Sequence, residues 1–537
     1  MSTHTDRYSI DNTDYVVGQD NIQKWGLDIH NPVFGTSAAL VLFFVITLLL
    51  VDASTAKSAL DSIKWQIIDH FDGLIMWSAN LFLLFCIALV LSPYGKIRIG
   101  GDKAKPEYSR KSWFSMLFAA GMGIGLIFWG VAEPLAYFTG WFETPLGVEA
   151  NTPEAARLAL GATMFHWGLH PWAVYSVMAL SLAFFAYNKG LPLSIRSVFF
   201  PILGDRAWGW AGHIIDILAV LATLFGVATS LGLGAQQASA GISHVFGLEV
   251  GIGLQLIVVA SVTALAVISV VRGIDGGVKV LSNINLIVAF LLVVVVALTA
   301  IGVVTGSLFN ALGGYVENMI ALAVPHGRED QAWMHGWTVF YWAWWISWSP
   351  CVGMFIARVS KGRTIREFVT ATLLIPTLVT LLWMSTFGGI AIDQVVNGIG
   401  ELGRNGLTDV SLALFSLYEV MPMSTLLSLV SVLLILVFFV TSSDSASLVV
   451  DSITAGGKVS LPVPQRIFWA ASQGLIASVL LWVGGTEAIE ALQAGAISTA
   501  LPFTVILLVM CVCLIMGMRS EFAGQSRSIA YSYRSNV

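Results

Sequence analysis

The chain has 537 residues, of which 56% are hydrophobic and 11% are charged, and its formal net charge is −5. Soluble domains carry about a quarter of charged residues, so this composition excludes an ordinary soluble protein. Runs of roughly 20 apolar residues recur along the chain, and each is long enough to cross the hydrocarbon layer of a membrane. We therefore expect an all-α integral membrane protein.

The apolar runs predict twelve membrane spans that are separated by polar loops. In chain order these lie at about 33–52, 73–94, 113–135, 159–187, 211–238, 251–271, 284–305, 336–357, 368–390, 424–449, 466–484 and 491–517. Two less hydrophobic segments, at about 307–324 and 402–418, are amphipathic. They are predicted to be surface helices that lie outside the membrane.

The placement of lysine and arginine gives the orientation of these spans. If the N-terminus is inside, only five of the 27 basic residues fall on the outer side: Lys57, Lys64, Arg157, Arg328 and Arg404. This distribution follows the positive-inside rule. Both termini are therefore expected to be cytoplasmic.

Two of the spans contain residues that weaken a helix. Span three has the alternating glycines of Ala119-Ala-Gly-Met-Gly-Ile-Gly125, and span eight has Ser347-Trp-Ser-Pro350. Backbone that is freed in mid-membrane is tolerated where it lines a cavity. The two spans are five apart and cross in opposite directions, which predicts two inverted five-helix repeats with a binding site between the broken helices. The alternative is that the small residues only allow close helix packing.

Span eight also holds a dense group of aromatic residues, with six of the nineteen tryptophans in the range 333–348. At 100° per residue, Tyr341, Trp345 and Trp348 lie on one face, and Trp344 lies on the adjoining face. Neighbouring indoles can enclose a quaternary ammonium group through cation–π attraction, at ~0.5–2 kcal/mol per ring. The pattern therefore favours a site for a quaternary-ammonium solute.

The competing interpretation is a belt of aromatic residues at the membrane interface. A belt explains Trp333 and Trp337, which lie near the outer end of span eight. It does not explain the tryptophans two to three turns deeper, and we assign only Trp333 and Trp337 to a belt or a gate.

Span four carries a second aromatic group, in which Trp167, Trp172 and Tyr175 can face the first one across the bundle. Its His166 and His170 have the i, i+4 spacing that can bind a metal. This spacing leaves a metal-dependent intramembrane enzyme as an alternative. It is a remote one, because no third ligand is evident in the sequence.

Span ten places hydroxyl groups and an acid inside an apolar helix, where such groups are costly unless they bind something. Thr441 and Ser442 supply oxygens of the kind that Na⁺ prefers, and carbonyls freed at the glycine break of span three can complete the shell. The alternative is that both hydroxyls bond to their own helix. Asp444 is three residues further on, and its partner is not evident.

The segment 336–358 closely resembles the signature of the betaine/choline/carnitine transporter family. It reads Gly336-Trp-Thr-Val-Phe-Tyr-Trp-Ala-Trp-Trp-Ile-Ser-Trp-Ser-Pro350, followed by Gly353-Met-Phe-Ile-Ala-Arg358. The glycine break before Trp129-Gly-Val-Ala-Glu-Pro134, the aromatic run of span four and the Thr-Ser-x-Asp of span ten match as well. The resemblance implies a LeuT-like 5+5 inverted repeat preceded by two extra helices, and usually a homotrimer.

These expectations divide the chain into six parts. They are a cytoplasmic N-terminal segment (1–32), two extra helices with a basic cytoplasmic loop (33–112), a first five-helix repeat (113–305), an external amphipathic helix and loop (306–335), a second, inverted repeat (336–517) and a short cytoplasmic tail (518–537).

The resemblance also implies the residues of the binding site. The expected substrate-binding residues are Trp344, Trp345 and Trp348, with Trp167, Trp172 and Tyr175 across from them, and in addition Trp342, Gly121, Gly123 and Gly125. The expected Na⁺ ligands are Ala119, Met122, Phe438, Thr441 and Ser442, with Thr223 at a second site.

This sequence departs from the family pattern at the second ion site and matches one branch of the family at another position. Val227 and Cys351 stand where the family has a threonine and a phenylalanine, so the number of coupled ions is open. Gly125 occupies the position at which the proton-coupled choline carriers of the family have an aspartate. Glycine there favours Na⁺ coupling and a zwitterionic substrate.

The function that the resemblance implies is uptake of glycine betaine, or a related osmoprotective zwitterion, by Na⁺ symport across a bacterial inner membrane. The alternatives are a sodium-independent carnitine-type exchanger and H⁺-coupled choline uptake. The expected partners are the solute, Na⁺, the lipid bilayer and further copies of the chain. We expect no cofactor and no nucleic-acid partner.

Overall fold

The computed structural model describes residues 13–121, 123–272, 278–458 and 460–535, and it is nearly all helical. A two-stranded antiparallel hairpin, β1 (Asn21–Lys24) and β2 (Leu27–His30), precedes the helices. The helices are α1 (Asn31–Leu50), α2 (Ala53–Leu91), α3 (Arg110–Gly121), α4 (Ile124–Thr139), α5 (Pro153–Trp167), α6 (Leu169–Tyr187), α7 (Phe200–Leu203), α8 (Trp210–Phe246), α9 (Ile252–Arg272), α10 (Val278–Thr299), α11 (Ile301–Ala323), α12 (Gln331–Trp333), α13 (Phe340–Val359), α14 (Ile365–Val396), α15 (Gly400–Asn405), α16 (Ala413–Tyr418), α17 (Ser424–Thr454), α18 (Val463–Gly484) and α19 (Ala488–Ser535). Short 3₁₀ turns lie at Pro93–Lys96, Pro145–Gly147, Arg196–Phe199, Gly204–Trp208 and Gly485–Glu487, and a π-helical stretch at Met334–Val339.

Nine helical stretches within the described ranges are long and apolar enough to cross a membrane. One of them joins α5 to α6, and another joins α18 to α19. Each of the twelve predicted spans coincides with a helix or a pair of helices. The architecture agrees with a multi-pass membrane protein, whereas the count of twelve crossings and the inverted repeat stay predictions.

Helix α2 begins at Ala53, some twenty residues before the predicted start of span two. The sequence does not predict these first turns as part of the span, because they contain charged residues. Two of those residues form ion pairs in the structure. Lys64 lies 3.4 Å from Glu490 at the start of α19, and Lys57 contacts Glu487. These ion pairs allow a charged segment to continue an apolar helix.

The predicted break in span three is present. Helix α3 ends at Gly121, and α4 begins at Ile124 after Gly123, whose backbone is extended. The first amides of α4 have no partner within their own helix, as at any helix N-terminus. The end of α3, the start of α4 and Gly125 thus lie close together in the chain, at the break.

The predicted break in span eight is wrong, because α13 runs without interruption through Pro350. A proline removes the N–H that would bond to the carbonyl four residues earlier, which here is Ile346. The Ser349 hydroxyl donates to that carbonyl at 2.7 Å. The serine thus replaces the missing donor, and the irregular turn of this span lies upstream, at Met334–Val339.

A break that was not predicted separates α5 from α6 at Gly168. The Tyr315 hydroxyl of α11 accepts a hydrogen bond of 3.2 Å from the Leu169 amide, the first residue after the break. Gly161 of α5 lies so close to Gly314 of α11 that a Cβ on Gly161 would be 2.4 Å from the Gly314 backbone. The helix predicted at 307–324 begins earlier in the structure, at Ile301, and it packs tightly against α5. Its position relative to the membrane stays a prediction.

The second predicted surface helix, at 402–418, is wrong as a single element. The structure has two six-residue helices there, α15 and α16. Gly406, with φ +67°, ends the first of them. A left-handed backbone of this kind suits glycine and stops a helix.

The hairpin holds the chain start against segments that lie more than 400 residues away. Asn21 donates to the Ala455 carbonyl at 3.0 Å, and Asp28 accepts from Lys458 at 2.6 Å. The Asp28 amide donates to the Gln465 side chain at 3.2 Å. The N-terminal segment is thus joined to the end of α17 and the start of α18.

The same hairpin ends on a buried cluster around Arg196. The guanidinium lies 3.3 Å from the Asp216 carboxylate and donates to the Tyr15 hydroxyl and to the His30 ring at 2.7 and 3.2 Å. Burial and the neighbouring Arg196 charge lower the pKa of His30 to about 3. His30 is therefore neutral near pH 7 and accepts the arginine's hydrogen bond.

We predict that Ser349→Ala destabilises the bundle by ~1–3 kcal/mol, because it leaves the buried Ile346 carbonyl without a donor. The measurement is the apparent Tm of the purified chain in detergent. The double variant Ser349→Ala/Pro350→Ala restores a backbone N–H to that carbonyl and should recover most of the loss. A double variant that melts no higher than Ser349→Ala would refute this account.

Candidate substrate and ion site

A cavity of about 310 Å³ lies beside the α3–α4 break. Its walls come from six other helices besides α3 and α4: α5, α6, α8, α10, α13 and α17. The lining is mostly apolar and aromatic with a few hydroxyl groups, which is the usual character of a small-molecule site.

Seven aromatic residues line this cavity, and we call five of them the aromatic box: Trp167, Tyr175, Trp344, Trp345 and Trp348. Trp345 stands nearly perpendicular to Trp167, with ring centroids 5.2 Å apart, and contacts Tyr175 at 5.3 Å. Trp167 and Trp344 are also perpendicular, at 6.2 Å. Rings at right angles present faces to a common space, which suits a cation with several methyl groups.

Each indole N–H of the box is bonded to the protein. Trp344 donates to the Gly226 carbonyl at 3.3 Å, and Trp345 donates to the His166 carbonyl at 3.1 Å. Trp348 donates to the Ser230 hydroxyl at 2.9 Å. Because the polar edges are occupied, the rings are fixed in orientation and offer the cavity mainly their π faces.

The fourth indole, that of Trp167, donates to the fully buried carboxylate of Glu133 at 2.6 Å. The same carboxylate accepts from the Tyr341 and Tyr137 hydroxyls and from the His166 ring, the last two at 3.0 Å. The four polar groups that bond to this carboxyl group come from α4, α5 and α13. Glu133 therefore fixes the side of the box that α5 contributes.

The two histidines of span four do not form a metal site. His166 bonds through Nδ1 to Glu133 and through Nε2 to the Thr338 hydroxyl, at 3.0 Å each. His170 stacks on Trp342 instead. Within the described ranges no group of three or more potential metal-binding side chains is present.

Gly125 is required by the closeness of two rings. A Cβ on Gly125 would lie 2.8 Å from the outer edges of both Trp167 and Trp344. Real Cβ contacts are longer, so any side chain here displaces a ring of the box. Gly123 also lines the cavity, but a Cβ there meets no atom within 4 Å.

Two of the predicted substrate-binding rings do not line the cavity. Trp172 is buried behind Tyr175, with ring centroids 5.4 Å apart. Trp342 lies on another face of α13, where it packs against Phe165 and His170. Gly121 is the last residue of α3, and its place in the site stays a prediction.

The assignment of Trp333 and Trp337 to an interfacial belt is wrong, because both rings are buried, at 0% and 4% exposure. They pack against Tyr137 at 5.1 and 4.9 Å, and Trp337 contacts Trp129 at 5.3 Å. Their other role, as gate residues, remains a prediction.

Trp129 and Trp337 line a second cavity, of about 780 Å³. The fully buried ring of Tyr341 lies between this cavity and the aromatic box, 6.2 Å from Trp129 and 6.1 Å from Trp344. A layer of aromatic rings therefore separates two cavities inside the bundle.

Four of the predicted Na⁺ ligands line the first cavity beside the box: Ala119, Phe438, Thr441 and Ser442. The Thr441 hydroxyl donates to the Val437 carbonyl at 3.0 Å and to the Phe438 carbonyl at 3.2 Å, so it bonds to its own helix, as the alternative to an ion site predicts. Two of the predicted oxygens are thus close enough to share one ion. Met122 lies outside the described residues.

Thr223 does not line this cavity. It is fully buried, and its hydroxyl donates to the Ala219 carbonyl at 2.8 Å. Val227 is buried in the core, whereas Cys351 lines the cavity wall. Thr441 also bonds to its own helix, so the position on the cavity wall, and not this bond, separates Thr441 from Thr223.

Asp444 is 2% exposed, and its Oδ1 has no hydrogen-bond partner in the part of the chain that the structure describes. The nearest opposite charge that acts on it is Arg466. That arginine lies 3.8 Å from another buried carboxylate, that of Asp451. The acid of span ten is thus one of two carboxylates near a single guanidinium.

Three parts of the site are not predicted by the sequence: Glu133, Gly226 and Ser230. An acid inside an apolar helix was the available signal for Glu133, and Trp129-Gly-Val-Ala-Glu-Pro134 was noted only as a motif. The acceptors on α8 carry no such signal, because a carbonyl and a small hydroxyl are common in any helix.

Comparison with known proteins supports a transport function for this kind of site. A family model described as the betaine/carnitine/choline family transporter matches residues 32–523. The chain is 69% identical over 521 residues to glycine betaine transporter 1 of Vibrio parahaemolyticus, which covers 97% of this chain and all of the relative. A glycine betaine/proline/choline/ectoine transporter of that organism is 66% identical over 517 residues, 96% of this chain and 92% of the relative. The glycine betaine transporter OpuD of Bacillus subtilis is 40% identical over 493 residues, 91% and 94% of the two chains.

We predict that Glu133→Gln weakens binding of tetramethylammonium roughly tenfold, since the new NH₂ group cannot accept a hydrogen bond and leaves a buried donor unsatisfied at a cost of ~1–3 kcal/mol, and 1.4 kcal/mol is a factor of ten. The measurement is titration of tryptophan fluorescence in the purified chain. Glu149→Gln, at an exposed loop position, is the matched control and should bind as the unmodified chain does. Equal affinities in the two variants would show that Glu133 does not hold the box.

We predict that Gly125→Ala lowers the affinity for tetramethylammonium by about tenfold or more, because the new methyl group displaces the Trp167 and Trp344 rings and weakens cation–π contacts of ~0.5–2 kcal/mol each. Gly123→Ala adds the same methyl group beside the same cavity without contacting a ring, and its effect should be smaller. The reverse order of the two effects would contradict the assignment.

Proposed function

Because the chain belongs to the betaine/carnitine/choline transporter family, we propose that it imports glycine betaine, or a related zwitterionic solute, by Na⁺ symport with alternating access. The members of this family and the similar proteins are transporters and not enzymes. The observation that carries the proposal is the aromatic box, in which four indoles have their N–H groups occupied and face one cavity.

The box supports a quaternary ammonium group as the cationic end of the substrate. A trimethylammonium group spreads its charge over methyl groups and makes no hydrogen bonds, so ring faces bind it better than polar groups do. A primary ammonium would need acceptors, and an indole N–H group is only a donor. The relatives named above for glycine betaine make this solute the first choice.

The carboxylate of the zwitterion is assigned to the N-terminal end of α4. This helix begins at Ile124, and Gly123 before it lines the cavity beside the box. Unpaired amides and the helix dipole attract an anion at such an end. The substrate would then lie with its cation among the rings and its anion at the break.

Sodium coupling is supported by the oxygens of Thr441, Ser442 and Phe438, which border the same cavity as the box. An ion there would neutralise part of the substrate charge and help to fix the break between α3 and α4. Thr223 lies away from the cavity, which favours one Na⁺ in the familiar position over two.

Alternating access is supported by the two cavities on either side of the Trp129, Trp337 and Tyr341 rings. The first cavity extends along α13 to Arg358 in its last turn. In the predicted topology this is the cytoplasmic end, so we assign the structure to an inward-facing state with the outer path closed by rings.

The alternative mechanisms fit the site less well. A sodium-independent carnitine-type exchanger would not need the hydroxyl and carbonyl oxygens beside the box. H⁺-coupled choline uptake is disfavoured by Gly125, since an aspartate in that place would lie against two rings of the box. One similar protein is named for choline as well as glycine betaine, so choline remains a second candidate solute.

The remaining parts of the proposal concern the setting of the protein. We propose twelve crossings in two inverted repeats after two extra helices, a bacterial inner membrane, cytoplasmic termini and a homotrimer. The long apolar helices and the sparse outer basic residues support the first three parts, and the family resemblance supports the trimer.

The test is uptake into proteoliposomes that contain the purified chain. Glycine betaine, choline, carnitine, ectoine, proline and dimethylsulfoniopropionate compete with labelled glycine betaine, each with and without an inward Na⁺ gradient. Na⁺-driven uptake that glycine betaine inhibits most strongly is the expected result. Uptake that ignores the Na⁺ gradient but needs a solute inside the vesicles would replace the proposal with exchange.

We predict that Thr441→Ala raises the Na⁺ concentration for half-maximal uptake about tenfold, which corresponds to ~1.4 kcal/mol for one lost oxygen ligand. Solute binding in saturating Na⁺ should change little, because the aromatic box is unaltered. Ser445→Ala, one turn further along α17 and on the same cavity, is the control. An unchanged Na⁺ requirement in Thr441→Ala would remove this residue from the ion site.

A further inference from the structure

One stripe of α13 follows the cavity along its whole length. Its members have the i, i+4, i+7, i+11, i+14 spacing of a single helix face, and every one of them lines the cavity: Trp344, Trp348, Cys351, Phe355 and Arg358. The stripe begins with two rings of the aromatic box and ends with a cation in the last turn of the helix.

Among the described residues, the cation at the end of this stripe has no acid beside it. The Arg358 guanidinium contacts the Met354 sulfur at 3.7 Å, and no carboxylate of the described residues lies within 4 Å of it. Other sheltered arginines of the chain have such partners: Arg196 pairs with Asp216, Arg328 with Asp330 and Arg363 with Glu367.

An unpaired, partly buried charge in a membrane protein is costly, and such residues mark the paths of substrates and ions. Arg358 is half-buried and lies on the cavity wall. A planar guanidinium presents two parallel N–H groups that match a carboxylate. The chemical partner that fits this position is therefore a carboxylate that enters the cavity.

A solute held in the box is too far away to make this contact. Ten residues separate Trp348 from Arg358, which is roughly 15 Å along a helix axis. A small zwitterion that has its methyl groups among the rings cannot reach across that distance. The two groups can only act on the substrate in succession.

We propose that Arg358 forms a second, transient binding site, at which the carboxylate of a zwitterionic substrate is held as it leaves the aromatic box. This inference rests on the proposed function. Hydroxyl groups of Ser282 and Ser445 also line the cavity, and they can solvate the solute along the way. A cationic solute without a carboxylate gains nothing from Arg358.

The test compares Arg358→Gln, Arg358→Lys and Lys361→Gln in proteoliposomes, with glycine betaine and choline as substrates. Lys361 is the matched control, because it is a cation three residues further on that is exposed and does not line the cavity. We expect Arg358→Gln to lower the maximal rate for glycine betaine about tenfold, the scale of a charge-assisted hydrogen bond, with unchanged fluorescence affinity. Arg358→Lys should retain half of the rate or more, and Lys361→Gln all of it.

The rate for choline should stay within about twofold in every variant, since no carboxylate is present. Equal losses for both solutes in Arg358→Gln overturn the inference, and they are the result expected if the arginine holds a lipid phosphate. An unchanged betaine rate in Arg358→Gln overturns it as well. If the unmodified chain does not carry choline, the maximal rates of the three variants for glycine betaine alone test the inference. Absence of betaine uptake by the unmodified chain would instead refute the proposed function.

Discussion

The carboxylate of Glu133 is the interaction on which the architecture of the site depends. It is fully buried, yet four donors from three helices surround it. Removing a carboxyl group from water is costly unless it is hydrogen-bonded, so this group and its partners stabilise one another only as a complete set. That condition ties α4, the half-helix after the break, to α5 and α13. The orientation of Trp167 and, through the backbone of His166, that of Trp345 follow from it.

In the proposed function, the selectivity of the box would come from its rigid rings and from the few polar atoms that they offer. Fixing rings in advance removes the entropy that binding would otherwise cost. With the indole edges bonded to α5, α8 and Glu133, a solute that needs hydrogen bonds finds aromatic faces instead. Gly125 completes the arrangement from the opposite side, since its missing side chain lets Trp167 and Trp344 approach the backbone of the break. In the proposed function, affinity for methylated ammonium groups and exclusion of simpler amines would have the same origin.

The sequence predicted those features that depend on local pattern. Helical periodicity placed Trp344, Trp345 and Trp348 near one another, and the three glycines predicted the break that α3 and α4 show. It could not predict features that depend on a partner from elsewhere. Pro350 alone predicts a broken helix, but the Ser349 hydroxyl supplies the missing donor. Trp333 and Trp337 match a lipid-facing belt until Tyr137 and Trp129 are placed against them. Glu133 remained a motif residue because its donors lie 4, 33, 34 and 208 positions away.

The N-terminal hairpin has a consequence for the order in which the molecule is completed. Its hydrogen bonds to Ala455, Lys458 and Gln465 join residues that are 434, 430 and 437 positions apart in the chain. A chain emerges from the ribosome from its N-terminus, and contacts of large sequence separation form late. Asn21 and Asp28 are therefore among the first residues to be synthesised and among the last to find their partners. The hairpin can dock only after α17 and the start of α18 have been inserted, so its docking marks a molecule whose membrane insertion is nearly finished.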